Sequence, residues 1–314
     1  MAYFPIPAKD RPSFCGLKTY MRLPHVETLE EVDFLVVGIP FDVMSLARVG
    51  QRGGPNAIRA QSMYCKGYHP EHAVDIFSFC SGVDYGDLNV LPGDGIKSVN
   101  MVREQMLPIF QKGIVPFCLG GEHTISYPIL AALAETQGPV ALVHFDAHSD
   151  IYKEYLGLKY HQGNPFRLAI EDGAVIPGNS IQLGIRGPEY SPADRAANKE
   201  LGLEMIPGVE LHQIGITEAV RRIRSKVQDM PVYISFDIDF LDAAYAPGAC
   251  IPIPGGFTTA QAFELLRGLR GINLRGFDVV CLVPEYDAGN ITAIAAAYIT
   301  WEAIALHACN RIKD

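Results

Sequence analysis

Short, continuously apolar runs closed by turn residues recur along this chain, and they limit its fold more than any other feature. Phe34–Gly38, Val115–Leu119, Ala141–Asp146, Ile181–Gly184, Val232–Asp237 and Asp278–Val283 are rich in Val, Ile, Leu and Phe. They do not alternate with polar residues as a strand with one wet face does, so they are expected to be strands covered on both sides, as in a parallel sheet. Longer amphipathic segments between them predict helices around Val99–Lys112, Ser126–Glu135, Pro192–Leu201, Thr217–Val227, Thr259–Leu269 and Ile291–His307. Thr217 before Glu218, and Thr259 opening an apolar stripe at helical spacing, are start signals. Strands alternating with helices predict an α/β fold, a mainly parallel central sheet with helices on its faces. No linker, repeat or change of composition interrupts the 314 residues. One domain over residues 1–314 is expected, with residues 1–30, broken by Pro5, Pro7, Pro12 and Pro24, as an irregular arm.

Charge and composition remove several function classes. Lys and Arg number 26 against 35 Asp and Glu, a net charge of −9 without any basic block. Nucleic-acid binding needs a basic face to neutralise phosphates, so it is not expected. Hydrophobic residues make up 48% and charged ones 19%, which excludes a disordered chain. No apolar run is read as long enough to span a membrane, and MAYFPIPAKDRPSF lacks the basic-then-apolar order of a signal peptide. The seven cysteines are scattered and form no CxxC pair, which suits buried thiols in a reducing compartment and a cytoplasmic location.

Residues able to do chemistry cluster where three of the predicted strands end. Gly120-Gly121-Glu122-His123-Thr124 follows the second run, Phe145-Asp146-Ala147-His148-Ser149-Asp150 closes the third, and Ser235-Phe236-Asp237-Ile238-Asp239 closes the fifth. Ligand sites in open α/β sheets form at these carboxyl ends. In an extended segment, residues two apart share a face, so Asp146, His148 and Asp150, and likewise Asp237 and Asp239, can aim at one point. With His123 they offer four carboxylates and two imidazoles. A thiol-free, carboxylate-rich set suits two Mn²⁺ or similar divalent ions, which would offset the carboxylates' repulsion. Water between two such ions loses a proton near neutral pH, so metal-assisted hydrolysis is the expected chemistry. No phosphate loop, nucleophile elbow or HExxH helix is present.

GGEHT, FDAHSD and SFDIDFLD, in that order and spacing, closely resemble the metal-binding motifs of the ureohydrolase (arginase/agmatinase) family. Gly38–Asp42, the turn Gly50–Pro55 with Ala57-Ile58-Arg59, Gly255-Gly256 and the last helix also look agmatinase-like. The resemblance implies a three-layer α/β sandwich, two metal ions (Mn²⁺, in some members Ni²⁺) and a homo-oligomer, trimer or hexamer. It implies His123 and Asp150 on one metal, His148 and Asp239 on the other, with Asp146 and Asp237 bridging. The reaction would be attack by metal-bound hydroxide on a guanidino carbon, with Asp150 carrying the proton to the leaving nitrogen.

The departures fall on the substrate side. Where the family places a guanidinium-gripping Glu, this chain has Cys281, and Glu285 is a candidate replacement. A loop that carries hydroxyls and a carboxylate in the family reads Pro247-Gly248-Ala249-Cys250-Ile251-Pro252-Ile253, which puts Cys250 and Ile251 beside the substrate. His161, followed by Gln162, stands near the family's proton-shuttling His, one place displaced. These changes predict a greasier, less anionic pocket and a substrate with apolar substituents or delocalised charge, such as a biguanide. Divergent members include metformin hydrolases built from two related subunits. An ordinary agmatinase or guanidinobutyrase, or a non-catalytic companion of an active paralogue, are the alternatives.

Overall fold

The computed structural model describes residues 2–7 and 9–312. Eight strands form one sheet: β1 Phe34–Ile39, β2 Gly82–Asp87, β3 Val115–Gly120, β4 Ala141–Phe145, β5 Ile181–Ile185, β6 Glu204–Pro207, β7 Pro231–Asp237 and β8 Asn273–Val280. Across the sheet they run β2-β1-β3-β8-β7-β4-β5-β6, and every pairing is parallel. Besides the single turn Ile76–Phe79, the helices are α1 Gly54–Gln61, α2 Gly95–Gln111, α3 Ser126–Gln137, α4 Pro165–Glu171, α5 Pro192–Leu201, α6 Gly208–Val227, α7 Thr259–Gly268 and α8 Ile291–Cys309.

Both faces of the sheet are covered, which is why its strands read as unbroken apolar runs. Phe34 and Val36 of β1 join one core with Ile58, Ile223, Leu265 and the buried length of α8. Their neighbours Leu35 and Val37 point the other way, into a core built with Met106 and Ile109 of α2, Ile129 and Leu133 of α3, and Phe166 of α4. The result is a three-layer α/β sandwich.

Several boundaries differ from the sequence reading, each for a local reason. The edge strands β2 and β6 were not expected; GVDYGD is broken by Gly and Asp, and β6 has four residues. The run predicted over Asp278–Val283 lies too late: β8 spans Asn273–Val280, and Cys281 turns out of it with φ +70°. The helix expected from Thr217 begins at Gly208, and a break at Gly215, φ +76°, explains why the start signal lies downstream. α8 corrects the statement about long apolar runs. By length and composition it could cross a membrane, yet 83% of its apolar window is buried inside the fold. Its one acid, Glu302, is satisfied there by Arg267 Nε at 3.0 Å and by His69 Nε2 at 2.9 Å.

The middle of the sheet sets up the site. Val279 of β8 lies beside Leu119, Val280 beside Asp237, and Phe145 beside Phe236, so β3, β8, β7 and β4 finish level with one another. On the far side, the segment before β1 is tied to the edge strand. Tyr20 N–H donates to Asp84 Oδ2 at 2.7 Å, and the Tyr20 hydroxyl reaches Ala297 O, also at 2.7 Å.

Arg59 of α1 locks that edge. It donates to both Asp84 oxygens, at 2.9 and 3.0 Å, and to Asp87 Oδ1 at 2.5 Å. Arg59 and Asp84 are buried. Removing one partner leaves the other charge desolvated and alone, so Arg59→Met should cost about 3–5 kcal/mol in denaturant unfolding. A loss below about 1 kcal/mol would show that the cluster behaves like a surface pair.

Candidate dinuclear metal centre

The three motifs meet at the level ends of the central strands. His123 opens a short 3-10 turn after β3, and the preceding Gly121 lets this loop pack on the end of β1. A Cβ there would stand 1.9 Å from Phe41 O. The acids spaced by two do not converge along extended strands. β4 stops at Phe145, and Asp150 is reached through a coil that leaves it at φ +47°. Asp237 ends β7, while Asp239 lies in the 3-10 turn Ile238–Phe240.

Local backbone donors fix three of the four acids. Asp146 Oδ1 accepts from His148 N–H at 2.6 Å, Asp237 Oδ1 from Asp239 N–H at 2.9 Å, and Asp239 Oδ1 from Ala147 N–H at 3.0 Å. That leaves their Oδ2 atoms for the centre. His123 Nδ1 faces Asp150, Asp146 and Asp237 Oδ2 at 2.9, 3.3 and 3.4 Å, and His148 Nδ1 lies 3.1 Å from Asp239 Oδ2. All six residues proposed as metal ligands therefore come together.

Electrostatics makes the arrangement costly without a further cation. Burial and the Asp146 charge push the Asp150 carboxyl up; burial and the charges of Asp237 and Asp146 push Asp239 up strongly. Burial acts the same way on Asp146, but His144, His123 and His148 outweigh it and hold that carboxyl well below its usual range. Burial disfavours charged His123 and His148, yet the surrounding carboxylates raise both.

The hydrogen bonds of His123 identify what fits between them. Its Nε2 lies 2.9 Å from Ser235 Oγ, which itself donates to Asp278 Oδ1 at 2.6 Å, so Ser235 accepts and Nε2 carries the proton. In the neutral ring that a metal ligand requires, Nδ1 then presents a lone pair; it is buried and has no hydrogen-bond partner despite three oxygens within 3.4 Å. A lone pair and carboxylate oxygens aimed at one another are a donor set for a cation, and four acids with two imidazoles suit two divalent ions.

Sequence reasoning missed this supporting shell. Asp278, fully buried, also accepts from Ser126 Oγ and Tyr233 Oη, both at 2.6 Å. His144 accepts from Gln182 Nε2 at 2.9 Å and donates through Nε2 to Asp146 Oδ2 at 2.8 Å. The available signal was a polar residue inside an apolar strand, as with His144, Ser235 and Asp278.

A cavity of about 280 Å³ opens beside the centre. His148, Asp150, Asp237, Asp239, Cys281, Cys250 and Ile251 line it, as do Tyr152, Tyr155, Tyr190, Gln162 and Glu189, which had been given no role. Two substrate-side candidates lie outside this lining. Glu285 is exposed beside the Gly50 turn and does not line the cavity. His161 is buried outside the lining, where desolvation lowers its pKa to about 4; its neighbour Gln162 stands at the cavity instead. If the relay behind His123 orients that ligand, Ser235→Ala should weaken Mn²⁺ binding by about 10–100-fold in calorimetric titration. Unchanged affinity would remove the relay from the account.

Residues 32–306 match the Arginase family. The chain is 39% identical over 287 residues to the mitochondrial agmatinase of Gallus gallus, covering 91% of this chain and 84% of that one. It is 37% identical to the guanidinopropionase of Pseudomonas aeruginosa over 303 residues, 96% and 95% of the two chains. The structure of proclavaminate amidino hydrolase from Streptomyces clavuligerus superposes with a TM-score of 0.90 at 34% identity, covering 95% of this chain and 99% of that one. The chain belongs to the arginase family, as an agmatinase-like, metal-dependent amidinohydrolase acting on carbon–nitrogen bonds of guanidino compounds.

Proposed function

We propose that the substrate is a small guanidino-type cation with an apolar or charge-delocalised substituent, biguanides such as metformin being within that class. The supporting observation is the cavity wall. Beyond His148, Asp150, Asp237 and Asp239 it presents Tyr152, Tyr155, Tyr190, Leu46, Ile251 and Ile253, with Glu189 the one further carboxylate among the described residues. Glu189 is shared with Arg195 at 3.3 Å. Tyrosine faces attract delocalised cations, and among the described residues no Lys or Arg lines the cavity to receive a substrate carboxylate. This disfavours guanidino acids.

When bound, two divalent ions would neutralise the carboxylates and activate a water for attack on the guanidino carbon. His123 and Asp150 would hold one ion, His148 and Asp239 the other, with Asp146 and Asp237 shared. Asp150 is the proton carrier in this reading. It lines the cavity. It would accept the proton released by the attacking water and donate it to the departing nitrogen. The tyrosines and Ile251 would orient the cation and exclude water from its apolar end.

Protein loaded separately with Mn²⁺ and Ni²⁺ should hydrolyse metformin or N-alkylguanidines with higher kcat/KM than guanidinobutyrate or guanidinopropionate. A cation–π contact of about 1 kcal/mol predicts a roughly fivefold rise in KM for Tyr152→Ala with little change in kcat. Preference for the guanidino acids would overturn the substrate class. A metal-loaded protein inert on the whole panel would leave a companion subunit as the surviving reading.

A further inference from the structure

Cys281 stands beside the six nitrogen and oxygen ligand candidates. Its Sγ, a carboxylate oxygen of Asp237 and a ring nitrogen of His123 all lie within 4.8 Å of one another. The ring nitrogen of His123 facing these acids is the buried Nδ1 without a hydrogen-bond partner. Cys281 lies at the cavity and is 3% exposed.

Backbone hydrogen bonds hold its position. Cys281 N–H donates to Gly121 O at 2.8 Å, and Cys281 O accepts from Cys250 N–H at 2.8 Å. These bonds join the β8 end to the loop carrying His123 and to the cavity wall. They also maintain the left-handed backbone at Cys281, φ +70°, which a side-chain-bearing residue adopts only under such constraint. Cys250 differs: its sulfur is already engaged by Gln51 Nε2 at 2.9 Å and approached by Gln162 Nε2 at 3.7 Å. Of the two cavity thiols, Cys281 is the one grouped with metal-ligating atoms.

We propose that Cys281, as a thiolate, is a further ligand at the metal position formed by His123 and Asp237, and that it shifts this position's preference from Mn²⁺ toward Co²⁺, Ni²⁺ or Zn²⁺. The thiol proton leaves to solvent as the metal–sulfur bond forms, and no electron is transferred. Thiolate is the softest donor in the set, and the later divalent ions bind nitrogen–sulfur sites more tightly than Mn²⁺ does. The inference rests on the two-metal reading and adds a sulfur to it.

Co²⁺ alone is the probe. Metal-free protein titrated anaerobically with Co²⁺ should develop a near-ultraviolet sulfur-to-cobalt charge-transfer band. X-ray absorption should show a sulfur shell near the ~2.3 Å typical of a metal–thiolate bond. Cys281→Ser should remove both signals and reduce the Ni²⁺-over-Mn²⁺ affinity ratio by at least about tenfold, whereas Cys250→Ser should keep the band. Cobalt bound by the unmodified protein without a band or sulfur shell overturns the inference and leaves the two-metal reading standing, so the test does not depend on a variant folding. A band that survives in Cys281→Ser also overturns it. Failure to take up Co²⁺ overturns both readings.

Discussion

Asp146, Asp150, Asp237 and Asp239 converge as buried side chains, and their mutual repulsion is the constraint to which the rest of the centre responds. Each carboxylate could lower its energy by taking a proton, turning away or pairing with a cation. Turning away is blocked for three of them, because one oxygen of each is held by a backbone N–H. Protonation is opposed at Asp146 by the three histidines around it. Divalent cations are the remaining partner with enough charge, and the lone pair of His123 Nδ1 is held toward them by the proton on Nε2.

The fold serves that constraint through strand register. β3, β8, β7 and β4 are neighbours in the sheet, although helices and edge strands separate them along the chain. Their level ends bring residues 123, 146, 237 and 281 to one place without any long loop. The support behind the site is built into the strands as well. Ser235 and Asp278 sit on adjacent strands in direct register, so the relay from His123 to a buried carboxylate crosses the sheet by strand pairing. A rigid sheet is therefore both scaffold and supporting shell for the ligands.

Much of this was legible in the chain. Unbroken apolar runs announced strands covered on both faces, and the acids and histidines after three of them located the centre. The reason first offered for their convergence was local alternation, whereas turns and one left-handed Asp150 accomplish it. Edge strands β2 and β6 were hidden because short, polar or glycine-broken segments become strands only when a neighbour supplies the pairing. Long-range contacts also hid the substrate side. Glu285 is near Cys281 in sequence, but the chain turns at Cys281 and carries the acid to the exposed Gly50 side. Glu189, Tyr152 and Tyr190 come from segments without a chemical signature and meet only across the cavity.

The central claim is that the converging acids are balanced by two divalent ions per chain. It is tested most directly by titrating metal-free protein with Mn²⁺ while following binding heat and thermal unfolding together. Two equivalents should bind per chain, and Tm should rise as they do, because ligands that bind only the folded state stabilise it. Saturation at one equivalent or none, or a Tm indifferent to the metal, would contradict the account.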